Sequence, residues 1–187
     1  MQLIDKGTVT TPQGFRATAV SALIKYPDRL DLALIVSEAD CSATAVFTKN
    51  QVVAAPVVVD RATLKANNSH IRAVLINSGN ANASTGQPGL DNARQTQALT
   101  AQAVGCAADE VLVMSTGVIG VPLPMDRMQA SIAAAAQTMQ HAEDNEAGGL
   151  AATRAIMTTD TRPSTWPCRL IYRTAVLPSA VWPKARV

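Results

Sequence analysis

The sequence predicts an α+β layered domain, and three observations predict it. Short runs rich in Val, Ile and Thr, bounded by turn residues, crowd the first 80 residues. Longer stretches with helical apolar spacing follow. Between them, two compact apolar runs lead straight into small polar turns containing glycine. The chain has 187 residues, enough for one domain with its own core. Hydrophobic residues make up 48% and aromatic residues only 3%, so that core is built from Ala, Val, Leu and Ile.

In chain order, residues 15–22, 32–37, 43–48 and 56–60 read as strands, with Tyr26-Pro27-Asp28 as a turn between the first two. Residues 61–69 read as a short helix ending at Asn67-Asn68. Residues 73–77 (AVLIN) form a buried strand that feeds Ser78-Gly79-Asn80-Ala81-Asn82. Asp91 reads as a helix N-cap and Gly105 as that helix's stop. Residues 111–114 (VLVM) form a second buried strand that runs into Ser115-Thr116-Gly117-Val118-Ile119-Gly120. A helix starts near Pro124, with Met125, Met128, Ile132, Ala135, Ala136 and Met139 as its core stripe. Another spans 147–156, and its Gly148-Gly149 pair signals close packing against a neighbour.

Charge and ligand chemistry exclude several functions. Residues 1–160 hold eleven basic residues and all fourteen acidic ones, net −3, whereas residues 161–187 hold five basic residues and no acid. The basic tail lacks the lysine density of a nucleic-acid or membrane-surface arm, so neither partner is expected. Cys41, Cys106 and Cys168 are widely spaced, and His70 and His141 stand alone, so no metal site is expected. The N-terminus has no apolar signal region, so a cytoplasmic location is expected.

Two loops carry the candidate chemistry. INSGNAN (76–82) and STGVIG (115–120) each expose backbone N–H groups where glycine lets a ligand approach. The Thr116 hydroxyl beside the Gly117 N–H suits a tetrahedral oxyanion better than a diphosphate, and no Walker lysine follows. The same pattern also fits an ordinary strand-to-helix turn, in which Asn77, Asn80 and Asn82 bond their own backbone. Thr158-Thr159-Asp160-Thr161 offers hydroxyls and a carboxylate at a helix exit, suited to the polar end of an amino acid.

With these residues in view, the chain resembles the ArgJ family, the ornithine acetyltransferases or glutamate N-acetyltransferases of arginine biosynthesis. The resemblance is carried by VTTPQGFRATAVSALIK, ATAVFTKNQVVAAPV, AVLINSGNANASTG, VLVMSTGVIG and AIMTTDTRP, in order over residues 1–163. It implies mixed sheets with flanking helices in an N-terminal-nucleophile-like fold. It also implies a precursor that cuts itself before a threonine and assembles as a heterotetramer of two chain types. That threonine then passes acetyl from N-acetylornithine to glutamate, and bifunctional members also take acetyl from acetyl-CoA; no bound cofactor is implied. Carried over by position, Thr116 and Gly117 match the oxyanion-hole pair. Thr159, or less closely Thr158, matches a substrate-contacting threonine.

The resemblance further implies that TTDTRP is followed by a strand pair, a Gly-Ile-Ala-Lys-Gly stretch, and an Ala-Thr-Met-Leu segment holding the nucleophile. The last two do not occur in this sequence. Residues 164–187 contain Trp166, Trp182 and prolines 167, 178 and 183, and they read as an unrelated, disordered tail. Such a change is expected of a truncated or frameshifted product that is inactive alone, either a remnant or a weak amino-acid-binding module.

Overall fold

A computed structural model describes the backbone of residues 2–3, 7–141, 145–160, 167–172 and 175–180, with side chains over 7–141 and 145–160. In chain order, the elements begin with strands β1 (Gln2–Leu3), β2 (Phe15–Val20) and β3 (Leu32–Cys41), then helix α1 (Ala55–Ala66) and strand β4 (Ile71–Asn77). Helix α2 (Gly86–Val104), strand β5 (Val111–Ser115) and helices α3 (Met125–His141) and α4 (Asn145–Ala155) follow. Strands β6 (Pro167–Tyr172) and β7 (Ala175–Ala180) come last.

The central sheet has the order β2-β3-β4-β5. Its first two pairings are antiparallel and β4–β5 is parallel, so the sheet is mixed. Both faces are covered. Leu32, Leu34, Ala73, Leu75, Val111 and Val113 meet α1, α2 and α3 through Val59, Ala93, Ala101, Met128 and Ile132. The alternate residues Ala33, Ile35 and Ile76 meet Ala152 and Ala155 of α4 on the other face. Burial on both sides explains why β3 and β4 read as continuous apolar runs rather than alternating ones. The glycine pair of α4 fits close packing: a Cβ on Gly149 would come within 2.6 Å of the Thr10 hydroxyl, and one on Gly148 would meet the Ala17 backbone.

Several elements depart from the sequence reading. Residues 56–60 are the first turns of α1 rather than a strand. Pro56 is tolerated there because a helix's first N–H groups have no intrahelical partner. The valines, whose propensity suggested a strand, are overridden by what the helix buries. Asp60 accepts the Val113 N–H at 2.9 Å, and Gln97 of α2 donates to Val111 O at 2.7 Å. Strand β5 lies at the sheet edge, and these two side chains satisfy backbone groups that would otherwise be unpaired. Residues 43–48 form no strand; they run irregularly, held by the Ala43 N–H to Asn68 O bond at 2.7 Å and by Arg61 donating to Thr48 O.

Helix α2 begins at Gly86, five residues before the expected Asp91, while its αL stop at Gly105 falls where the sequence placed it. Pro88 sits in the first turn, where no N–H is needed. Gly89 lets the helix approach the buried Asn82, since a Cβ there would lie 2.7 Å from Asn82 Oδ1.

Beyond residue 166, where the sequence reading set out no regular element, β6 and β7 pair antiparallel and β1 adds to β6. Pro167 is the first residue of its strand and Pro178 lies on the edge strand, the two places where a sheet accommodates a residue lacking N–H.

Burial pushes the Asp60 carboxyl up from 3.8 to about 7, with the Val113 N–H opposing the shift. The folded state therefore holds this proton more tightly than the unfolded chain. Asp60 favours folding below its ordinary value of 3.8, and that contribution is lost as pH rises through about 7. Asp60→Asn keeps an oxygen for Val113 but carries no charge. Denaturant unfolding of this variant should lose less stability between pH 5 and 8 than the parent, by on the order of 2 kcal/mol. Equal pH slopes in the two proteins would contradict this role.

Candidate functional site

The strand register sets out the site. Val20 pairs with Leu32, Leu32 with Asn77, and Asn77 with Ser115, so these four residues form one row across the end of the sheet. The chain segments leaving that row, the 21–31 turn, the loop after β4 and the loop after β5, all emerge at the same end. The crevice outside the carboxyl ends of parallel strands is a common ligand position in sheets of this kind.

The two loops are joined by backbone hydrogen bonds. Thr116 N–H donates to Asn77 O at 3.0 Å, Val118 N–H to Gly79 O at 3.2 Å, and Ala81 N–H to Val118 O at 2.9 Å. Gly117 sits inside this seam at φ +136°, and a Cβ there would lie 2.6 Å from Asn80 N. No L side chain fits that position, because both the backbone angle and the space exclude it.

The three asparagines build the loops and point away from the cleft. Asn77 donates to Asn80 O at 2.8 Å and accepts the Ser115 hydroxyl at 2.6 Å. Asn80 donates to Val121 O at 3.1 Å and Pro122 O at 3.2 Å, and accepts the Asn82 N–H at 2.8 Å. Asn82, fully buried and at φ +46°, donates to Gly89 O at 2.9 Å. The local bonds of Asn77 and Asn80 are the turn-forming kind set out for these residues, whereas the amide groups of Asn80 and Asn82 tie the loop to the segment after β5 and to α2.

Loop 78–80 also fixes the remaining walls. Ser78 N–H donates to Asp31 O at 2.8 Å, and the Ser78 hydroxyl donates to Ala155 O at the end of α4 at 2.7 Å. The buried Asp31 carboxylate accepts the Ala22 N–H at 2.5 Å and the Ile24 N–H at 2.7 Å, which shapes the 21–31 turn. Arg29 of that turn donates to Met157 O.

These ties enclose a cleft of about 310 Å³. All four residues singled out in the sequence line it: Thr116 and Gly117 on one wall, Thr158 and Thr159 on another. Sequence reasoning missed Lys25, Tyr26 and Arg29, which line it from the 21–31 turn; Ser78 and Gly79, which also line it, belong to the 76–82 loop that the sequence set out as a ligand loop. Within that turn, the Lys25 ammonium lies 4.8 Å and the Arg29 guanidinium 5.4 Å from the Tyr26 ring centre. A hydrogen bond from Lys25 and its charge, with a smaller contribution from Arg29, hold the Tyr26 phenol below its ordinary value.

Among the described residues, the lining is cationic, with hydroxyls and no carboxylate or imidazole. It can receive an anion or a developing oxyanion, and none of these residues is a general base beside a hydroxyl. Among the described residues, no three His, Cys, Asp or Glu side chains group as metal ligands would. No helix among them is long and apolar enough to cross a membrane.

The family model described as the ArgJ family matches residues 16–177. The chain belongs to the ArgJ family. The match runs past Pro163 through the whole of β6. The arginine biosynthesis bifunctional protein ArgJ of Geobacter sulfurreducens is 50% identical over 151 residues, which span 81% of this chain and 37% of that protein. The ArgJ protein of Lactococcus lactis is 44% identical over 160 residues, spanning 86% of this chain and 38% of that protein. The chain thus spans well under half the length of the curated ArgJ relatives it matches.

Two solved ArgJ-type structures share the fold. The bifunctional protein from Bacillus halodurans superposes with a TM-score of 0.86 at 34% identity, covering 95% of this chain and 90% of that one. An ornithine acetyltransferase from Mycobacterium tuberculosis, solved in complex with ornithine, gives 0.82 at 42% identity, covering 89% and 86%.

The site geometry separates scaffold from chemistry. Asn82→Ala leaves Gly89 O and the Thr85 hydroxyl without their buried partner, and it should lower the unfolding free energy by about 2–3 kcal/mol. Thr116→Val changes a side chain that makes no such tie and should cost under ~1 kcal/mol. Chemical denaturation of both variants checks this; equal losses would contradict the division.

Proposed function

We propose that this chain supplies the oxyanion-stabilising and substrate-orienting wall of an acetyltransferase that moves acetyl from N2-acetyl-L-ornithine to L-glutamate. The threonine nucleophile of that reaction belongs to an Ala-Thr-Met-Leu segment, which this sequence does not contain. The observation that carries the proposal is the meeting of Thr116, Gly117, Thr158 and Thr159 in one cationic cleft.

In this reading the threonine hydroxyl adds to the acetyl carbonyl of N-acetylornithine. The carbonyl oxygen takes the negative charge, and the Thr116 hydroxyl and Gly117 N–H donate to it. Collapse of the adduct breaks the C–N bond, the departing amine takes up a proton, and acetyl remains on threonine as an ester. Glutamate's neutral amine then adds to the ester carbonyl through a second oxyanion at the same donors; the ester C–O bond breaks, the amine's proton passes to the threonine oxygen, and N-acetylglutamate leaves. Because both half-reactions pass through one oxyanion position, a single donor pair serves both. Thr159, with Thr158, orients the amino acid. The working assembly is proposed as a cytoplasmic heterotetramer of two chain types.

That none of the described residues lining the cleft is a base favours one alternative, a chain that holds amino acids weakly without turning them over. Acetyl transfer from N-acetylornithine to glutamate, measured for the chain alone and co-expressed with the remaining length of a relative, separates the two readings. Transfer is expected only with the complement, and Thr116→Val should then lower kcat about 10²-fold. No transfer in either setting would reject the acetyltransferase reading. Acetylation of the chain on its own would reject the assignment of the nucleophile to another segment.

A further inference from the structure

Leu23, in the 21–31 turn, sits at φ +55°. Among the described residues, the other non-glycine positions in this left-handed region are Asn82 and Ser84, so Leu23 is the one apolar side chain there. A branched side chain is costly in that conformation. Leu23 is half-exposed, so burial does not offset the cost. Hydrogen bonds on either side hold it. The Asp31 carboxylate accepts the flanking N–H groups, that of Ala22 at 2.5 Å and that of Ile24 at 2.7 Å. The Leu23 carbonyl accepts from the Arg127 guanidinium, which reaches it from the first turn of α3. Helix α3 follows the loop after β5, and Asn80 pins the linking residues at Val121 O and Pro122 O. The clamp therefore ties the turn to the chain segment that carries Thr116 and Gly117. Just past Leu23, Lys25 packs on the Gly79 backbone so closely that a Cβ on Gly79 would lie 2.9 Å from Lys25 Cβ.

Resting on the acetyl-transfer reading above, we infer that Arg127, acting with Asp31, is a positioning residue that holds Leu23 in the left-handed region and so sets Lys25 against Gly79 beside the oxyanion loops. A strained residue whose side chain gains little by burial points to a use for the conformation itself. Here the use is the direction of the chain beyond it. With Leu23 relaxed into a common backbone region, the chain leaves the turn at another angle and Lys25 leaves Gly79. The Lys25 side chain lines the same cleft as Thr116 and Gly117, so its charge acts on negative charge that develops at those donors. Arg127 is not among the residues lining that cleft. Its effect passes through Leu23.

Two readouts on the parent, on Arg127→Met and on Arg127→Met combined with Leu23→Gly test this. In the full 187-residue chain, NMR reads the nuclear Overhauser contact between the Gly79 Hα and Lys25 Hβ protons. In the chain co-expressed with the remaining length of a relative, steady-state kinetics read acetyl transfer. Arg127→Met should lose the contact and lower kcat about tenfold while KM for N-acetylornithine stays nearly constant, because the Lys25 charge acts on the transition state. Adding Leu23→Gly should restore both readouts: glycine takes φ +55° without steric cost, and the two Asp31 bonds then suffice. A merely structural loss would not be repaired by that glycine. Persistence of the contact in Arg127→Met would overturn the inference, as would its loss with kcat unchanged, or a double variant no better than the single one. If the complemented parent transfers no acetyl, the acetyl-transfer reading fails, while the clamp is still decided by the Overhauser contact across the three proteins.

Discussion

Loop 78–80 is the hub on which the site depends. Its backbone and one hydroxyl reach three neighbours at once: the loop after β5, the backbone of Asp31 and the end of α4. Each bond alone is worth about 1 kcal/mol net, but Ser78 is buried, so losing one of its bonds leaves a partner unsatisfied. The hub therefore fixes four chain segments relative to one another, and the cleft is the space left between them. Gly79 is needed here twice over: it takes φ +93°, and a Cβ on it would lie 2.9 Å from Lys25 Cβ.

The division of labour follows from which groups the hub consumes. Asparagine side chains and the N–H groups of Ser78, Ala81, Thr116 and Val118 are spent on holding the loops. The cleft is left with the hydroxyls of three threonines, the Gly117 position and the cations of the 21–31 turn. A rigid seam carrying donors beside a cationic wall is a preorganised electrostatic surface, which needs no reorganisation as charge develops. Among the described residues lining the cleft, none takes a proton from a hydroxyl.

Much of this was legible in the sequence. The runs 73–77 and 111–114 are apolar at every position but the last asparagine, and each ends in a small polar turn, so strands β4 and β5 and their loops were readable. The motif resemblance selected Thr116, Gly117, Thr158 and Thr159, and the fold brings all four to one cleft. The contribution of Lys25, Tyr26 and Arg29 was not legible. That turn is shaped by Asp31 and tied to the cleft by the Arg29 bond to Met157 O, tertiary contacts with no local signature. The first turns of α1 were misread for a related reason: three successive valines favour a strand locally, and only the sheet edge at Val113 makes a helix better there. Prolines 167 and 178 argued against strands because sequence alone does not show which positions are first in a strand or at an edge.

The central claim is that the two loops form one rigid unit with the hub. Native-state amide hydrogen exchange tests it most directly, read at Ser78, Ala81, Thr116 and Val118. The account predicts that these four amides exchange only through global unfolding, with protection matching that of the buried strand amides in β3 and β4. Exchange of these amides at the rates of an open surface loop, while the strands stay protected, would contradict it.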